Sequence, residues 1–324
     1  MNQLLSVVVP CYNEEAALPY FFSSIQETTD ILTEEYGLDI EFLFVDDGSK
    51  DGTLVLLRQY AQADSRVRYI SFSRNFGKEA ALYAGLESAR GDYVVTMDAD
   101  LQDPPSLLPE MYEAVSSGSF DSAATRRVSR TGEPPIRSFF ARMFYRLINR
   151  ISKTDIVDGA RDFRLMTRPM ADAVLSMGEY NRFSKGIYGW VGFQTKWIPY
   201  ENAERVAGET KWSFWGLFLY SMEGIMAFST APLAISSFIG VMLCVVSFVW
   251  LVYIVASTLL FGAQTPGVPT LACLLLMLNG SLHLALGIIG QYLSKTYLEA
   301  KRRPLYIVRE TEKGEKGHYA ANRD

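Results

Sequence analysis

The chain has 324 residues, 49% hydrophobic and 21% charged, with a formal net charge of −5. The length favours two structural units over one. Three scattered cysteines (Cys11, Cys244 and Cys273), with no C-x-x-C pair or Cys/His cluster, argue against a zinc site or a disulfide framework. The average composition hides an asymmetry. Residues 1–223 carry 23 Lys+Arg and 31 Asp+Glu, Gly224 to Ser294 carry no Asp, Glu, Lys or Arg, and residues 295–324 carry 8 basic and 5 acidic side chains. An acidic head therefore precedes an uncharged block and a short basic tail.

In chain order, Leu4 to Pro10 opens as an apolar run that meets Glu14 and Glu15 at once. It is too short for a signal peptide and is expected to be a buried strand. Strand-like segments rich in Val, Ile, Phe and Tyr recur at Glu41–Ser49, Val67–Ser73 and Asp92–Asp100. Between them, residues near 14–36, 52–63 and 77–89 are expected to be helical. This alternation predicts an open, mainly parallel α/β sheet, with ligands bound beyond the carboxyl ends of its strands.

Further on, residues 136–152 set arginines 137, 142, 146 and 150 against Phe139, Phe140, Met143, Phe144 and Leu147. This is the pattern of a basic amphipathic helix able to lie on anionic lipid. Trp212, Phe214, Trp215, Phe218 and Tyr220 suit a headgroup layer. About 20 apolar residues span a bilayer, and residues from about 232 to 261 and 270 to 293 both meet that length. The eight uncharged turn residues between them make a helical hairpin. Lys301, Arg302 and Arg303 follow it, so the positive-inside bias places the head and both ends in the cytoplasm. In the second span Asn279 and His283 share one helical face, as helix-pairing or functional candidates.

The chemistry-bearing residues fall at strand ends: Pro10 to Glu15, Val45 to Thr53, and Asp98 to Asp103. No G-x-G-x-x-G turn or G-x-x-x-x-G-K-[ST] phosphate loop is present, so a bound diphosphate needs a metal to neutralise it. Asp98 and Asp100 offer two hard oxygen ligands on one turn, suited to Mg2+ or Mn2+.

Together these motifs resemble the family 2 glycosyltransferases of the GT-A (Rossmann-like) fold. Residues 73–78, the run from Asp98 to Pro105, residues 159–166, and Arg205 with Gly208 and Lys211 further resemble the polyisoprenyl-phosphate branch, which includes the dolichyl-phosphate mannose synthases. The resemblance covers all but about the last 20 residues. It implies nucleotide-sugar contacts at Pro10, Tyr12, Glu14, Val45, Asp47, Lys78, Asp98, Ala99 and Gln102, and metal contacts at Asp98 and Asp100. It also implies catalytic parts for Asp100 and Asp162, and phosphate or acceptor contacts at Arg205, Lys211 and Arg126 or Arg127. Asp162 is open to two roles, a base or a group orienting acceptor-binding arginines. A later Q-x-x-R-W motif is absent, which argues against a processive polymerase.

The expectation is therefore an integral plasma- or inner-membrane enzyme with a GT-A head over residues 1–223, two spans within 224–294 and a basic tail over 295–324. It would transfer one sugar, with inversion, from a nucleotide sugar (UDP-linked favoured) to undecaprenyl or dolichyl phosphate. Another lipid or polysaccharide acceptor, or a non-catalytic scaffold, is the alternative. Small residues in both spans, among them Gly240, Gly280, Gly287 and Gly290, invite pairing into a homo-oligomer. No nucleic-acid partner is expected, and the sugar and base stay open.

Overall fold

The computed structural model describes residues 2–128, 157, 159–201, 225–226, 229–262 and 267–314. The amphipathic segment 136–152, the aromatic cluster at 212–220, Arg205 and Lys211 lie outside these residues.

Four parallel strands form the centre of the sheet: β1 (Leu4–Cys11), β2 (Asp39–Asp46), β3 (Val67–Phe72) and β4 (Tyr93–Thr96). They are joined by α1 (Leu18–Tyr36), α2 (Thr53–Ala63) and α3 (Lys78–Ser88). β2 and β3 extend from one side of β1, while β4 pairs on its other side. Right-handed crossovers then require α1 and α2 on one face and α3 on the opposite one. The strand order reverses between β1 and β4, which makes the crevice beyond their carboxyl ends the expected ligand site.

The two faces read directly from alternate side chains. Val7, Val9, Phe42 and Phe44 pack with Leu18, Phe21 and Ile25 of α1 and Leu57 of α2. Val8, Leu43 and Val45 pack with Ala80, Ala81 and Ala84 of α3. Both faces are covered, so these strands are near-continuous apolar runs. Helix α3 lies so close to the sheet that a Cβ on Gly85 would fall 2.2 Å from Val8 Cγ1.

A 3-10 turn at Pro105–Leu107 and helix α4 (Leu108–Ser116) lead into β5 (Ser122–Arg127). β6 (Ala160–Thr167), α5 (Arg168–Ser176), α6 (Ser184–Trp190) and β7 (Thr195–Tyr200) follow. β6 runs antiparallel to both β4 and β5, and β7 is parallel to β5. The start of β6 and the end of β5 therefore share the edge of the sheet where β1, β2 and β4 end.

Helices α7 (Ala231–Phe261) and α8 (Val268–Ala300) come next. α7 has 31 residues and contains an 18-residue stretch of mean hydropathy 2.7, long and apolar enough to cross a membrane. Its side chains point outward, with Leu259 81% exposed. On α8, His283 Nδ1 lies 2.8 Å from the Asn279 backbone carbonyl oxygen, so the imidazole is held against its own helix.

Beyond α8 the chain returns to the head as β8 (Val308–Thr311), antiparallel to β3. Arg58 grips Glu310 through two hydrogen bonds of 2.8 Å, and Tyr306 stacks on Phe72 with ring centroids 4.8 Å apart. Part of the expected basic tail is thus the eighth strand of the sheet. The end of α8 is tied in as well: Glu299 accepts hydrogen bonds from the Tyr180 and Asn181 amides at 2.6 and 3.2 Å.

Candidate active site

The loops after β1 and β2 hold each other. The Asn13 amide donates to Ser49 Oγ at 2.9 Å, Asn13 Oδ1 accepts the Lys50 amide at 2.8 Å, and the Glu14 amide donates to Thr53 Oγ1 at 2.9 Å. Asn13 adopts φ 53°, a left-handed conformation that asparagine tolerates better than most residues. Pro10 pairs with Val45 in the strand register, which sets Tyr12, Glu14 and Asp47 around one lip. The Val45 and Ala99 side chains are buried in the core. These two expected contacts can reach a ligand only through their backbone.

Asp47 is 3% exposed and accepts the amides of Phe76 and Gly77 at 2.6 and 2.9 Å. Burial raises its pKa to about 6, against the lowering effect of those two amides. Its carboxylate thus fixes the loop leading into Lys78. Gly48 completes the junction: it sits at φ 68°, and a Cβ there would lie 2.5 Å from the Arg74 carbonyl carbon. Because the folded pKa of Asp47 is raised, its contribution to stability is present below the unfolded value near 4 and lost as pH rises through about 6. Equilibrium unfolding across pH 4–7 is expected to show that decline, and Asp47→Asn to flatten it. An unchanged slope in the variant would refute the assignment.

At the β1/β4 crevice three charged side chains converge. Lys78, the first residue of α3, places its ammonium 2.7 Å from Asp98 and 2.5 Å from Asp162. Asp162 is positioned by its strand, where its carbonyl accepts Thr96 Oγ1 at 2.6 Å and Arg164 pairs with Thr96. Burial acts to raise the Asp162 pKa, but Lys78 and then Lys185 outweigh it and hold the carboxyl well below the usual range. Burial likewise acts to lower the Lys78 pKa, and Asp162 and Asp98 reverse that effect. Lys78 and Asp162 are thus both charged at neutral pH.

Asp100 follows on the same turn, its Oδ1 accepting the Gln102 amide at 3.1 Å. Leu101 between them adopts φ 55°, which costs about 1–2 kcal/mol for such a side chain. Strain of this kind clusters where a loop must present ligands. Beneath the turn, Asp103 is 1% exposed and accepts Arg161 Nε at 3.1 Å and the Tyr200 hydroxyl. Burial raises the pKa of Asp103, and Arg161 is the strongest opposing influence. Arg161 also reaches Gln102 Oε1 at 3.4 Å, linking the start of β6 to the aspartate turn.

A divalent cation fits this chemistry. Asp98 already holds one cationic group, and Asp98 and Asp100 are hard oxygen donors on one turn. Among the described residues no three His, Cys, Asp or Glu side chains converge on a single point. Asp98 and Asp100 would supply part of a cation's shell, and a bound diphosphate would supply the rest.

Arg126 and Arg127 end β5 on the same edge, Arg126 pairing with Ala160 and the Arg127 amide donating to the Gly159 carbonyl at 3.0 Å. The structure therefore gathers Pro10, Tyr12, Glu14, Asp47, Lys78, Asp98, Asp100, Gln102, Arg126, Arg127 and Asp162 along one edge of the sheet. Sequence reasoning placed Asp103 in the chemistry-bearing run without giving it a role, and it missed Tyr200 and Lys185. Asp103 had a signal, being the third acid of the turn. Lys185 had none, because only the packing of α6 brings its charge toward Asp162.

A mainly parallel sheet whose switch-point crevice holds an aspartate turn and a lysine-bridged second carboxylate is consistent with the GT-A glycosyltransferase fold. Residues 6–175 match glycosyl transferase family 2, and the chain belongs to that family. It is 39% identical to the prophage bactoprenol glucosyl transferase homolog of Escherichia coli (strain K12), over 95% of this chain and 99% of that one. It is 40% identical to the putative glycosyltransferase CsbB of Bacillus subtilis (strain 168), over 95% of this chain and 92% of that one. Among solved structures it is similar to glucosyl-3-phosphoglycerate synthase from Mycobacterium tuberculosis, at 21% identity and a TM-score of 0.45, covering 69% of this chain and 78% of that one.

Proposed function

We propose that the protein transfers one glucosyl unit from a nucleotide diphosphate sugar, UDP-glucose in the leading case, to a polyisoprenyl phosphate with inversion. The observation that carries this reading is the Asp98–Lys78–Asp162 cluster at the crevice of a head followed by an apolar helix. Relatives named as bactoprenol glucosyl transferases support the lipid and the sugar.

The loops of β1 and β2 would take the nucleoside through Pro10, Tyr12, Glu14, Asp47 and the Val45 backbone. Asp98 and Asp100 would hold Mg2+ or Mn2+, which neutralises the departing diphosphate as a Lewis acid. A lipid monophosphate has a second pKa of about 6 and is already anionic at neutral pH, so little base catalysis is needed. Asp162 suits that chemistry. Held ionised by Lys78, it is a weak base, and its part is to keep Lys78 and the start of β6 in position. Arg126 and Arg127, with Arg205 and Lys211, would meet the phosphate groups.

The membrane part of the proposal is a two-span hairpin with the head and both ends in the cytoplasm, its helices pairing between chains. Contacts on both sides of the hairpin support an even number of crossings. The head precedes α7, and after α8 both Glu299 and β8 bind the same head.

The test is transfer by purified protein in detergent, from a panel of radiolabelled nucleotide sugars to undecaprenyl phosphate, with and without Mn2+ or Mg2+. Metal-dependent passage of glucose label into the organic phase is expected. Label from no donor, with nucleotide binding intact, would sink the reading.

A further inference from the structure

On the α3 face of the sheet a cavity of about 210 Å³ opens between β6, α6 and β7. Its floor is Arg164, 3% exposed, with a guanidinium stacked between Tyr188 and Trp197, 4.6 and 5.2 Å from their ring centroids. Its Nη1 donates to Ser122 Oγ at 2.9 Å and Thr195 Oγ1 at 3.2 Å, while its buried Nε has no hydrogen-bond partner. No carboxylate lies within ion-pair distance of it among the described residues, and burial lowers its pKa to about 10, with Tyr188 and Asp162 acting in the opposite direction. Lys185 stands at the cavity wall, and Phe193 and Trp197 line its apolar side. A buried cation whose nearest counter-charge, Asp162, is not in contact with it is costly, and an arriving anion would offset that cost.

We propose that this cavity seats the acceptor's head, with Arg164 and Lys185 holding a phosphate monoester and Phe193 and Trp197 holding its first isoprene units. The assignment rests on the lipid-phosphate reading above and gives that substrate a place. A hexose fits less well, because its many hydroxyls need acceptors as well as donors, and the described lining offers the Tyr188 and Thr195 hydroxyls but no Asp, Glu, Asn or Gln. A bare anion would leave the aromatic wall unused, whereas a prenyl phosphate uses both halves. The location also suits transfer. Arg164 and Asp162 lie two residues apart on one face of β6, about 7 Å along the strand, so a phosphate held at Arg164 would lie near the Asp98–Lys78–Asp162 cluster.

The experiment measures dissociation constants of the full chain in detergent for farnesyl phosphate, farnesol, inorganic phosphate and UDP-glucose. It compares the native protein with Lys185→Ala, Lys185→Arg and Arg164→Lys. Lys185 is half-buried on a helix surface, so its alanine variant should fold even if the Arg164 variant does not. Lys185→Ala is expected to weaken farnesyl phosphate about tenfold or more, the worth of one charge-assisted hydrogen bond. UDP-glucose binding should stay within about twofold, and Lys185→Arg should restore most of the loss. Farnesol and inorganic phosphate should each bind far more weakly than farnesyl phosphate. Unchanged farnesyl phosphate affinity in Lys185→Ala, or inorganic phosphate bound as tightly as the prenyl ester, would overturn the assignment. This binding pattern in a protein that transfers no sugar would leave the site standing and remove the proposed reaction instead.

Discussion

Asp98→Asn is expected to lower sugar transfer by about a thousandfold while leaving the head folded. The substitution keeps the shape but removes the charge that faces Lys78 at 2.7 Å and that would neutralise a divalent cation at the departing diphosphate. Lewis-acid stabilisation of such a leaving group is worth several kcal/mol, and each 1.36 kcal/mol is a factor of ten in rate. The Lys78 and Asp98 side chains are 42% and 24% exposed, so the lost ion pair itself costs little stability. Initial rates of labelled transfer, with Mn2+ affinity followed by paramagnetic resonance, separate the effects. Rate and Mn2+ affinity should fall together. A variant within tenfold of the native rate would show that Asp98 is not where the charge is handled.

Arg161→Met is expected to destabilise the head by about 3–5 kcal/mol, the cost of leaving a buried charge without its partner. Asp103 would keep only the Tyr200 hydroxyl among its side-chain contacts. Burial raises the pKa of Asp103 and Arg161 is the strongest opposing influence, so removing Arg161 should raise it further. The deficit should accordingly shrink as pH falls, when the carboxyl takes up a proton, and grow as pH rises through the folded pKa. Adding Asp103→Leu should recover much of the loss, since an apolar replacement of a buried pair is often neutral. Denaturant unfolding at pH 5 and pH 8 reads all three outcomes. Equal losses at both pH values would show that Asp103 is not the source.

How far the sequence told this story depends on which force shapes each element. The runs at Leu4–Cys11 and Asp39–Asp46 are buried on both faces and announce themselves as strands, and the acidic residues at or just beyond their ends (Glu14, Asp46 and Asp47) mark the edge where ligands are expected. β5 was illegible, because Ser122-Ala123-Ala124 is small and carries little strand propensity. Its place comes from pairing with β6 and β7. β8 hid inside a charged tail. Only Tyr306 and Val308 turn inward, too short an alternation to stand out against five flanking charges at Lys301 to Arg303, Arg309 and Glu310.

The site was legible as a set of residue types and not as a set of partners. Asp98, Asp100 and Asp162 were named from motifs, but nothing in the order of residues says that Lys78 bridges two of them. Nor could it say that Val45 and Ala99 turn their side chains into the core while their neighbours face the crevice. Strand alternation permits either phase until the packing of α1 and α3 chooses one. The Arg164 cavity depends on β6, α6 and β7 together, so no local window of sequence contains it.

The most direct test of the account offers the purified protein undecaprenyl phosphate and undecaprenol side by side, with the same labelled UDP-glucose and Mn2+. The account predicts label only in the phosphate-containing lipid, released as free glucose by mild acid as expected of a glycosyl phosphodiester. Label in the alcohol at a comparable rate would contradict it, because a hydroxyl acceptor needs a base that Asp162, locked in its ion pair with Lys78, is not placed to supply.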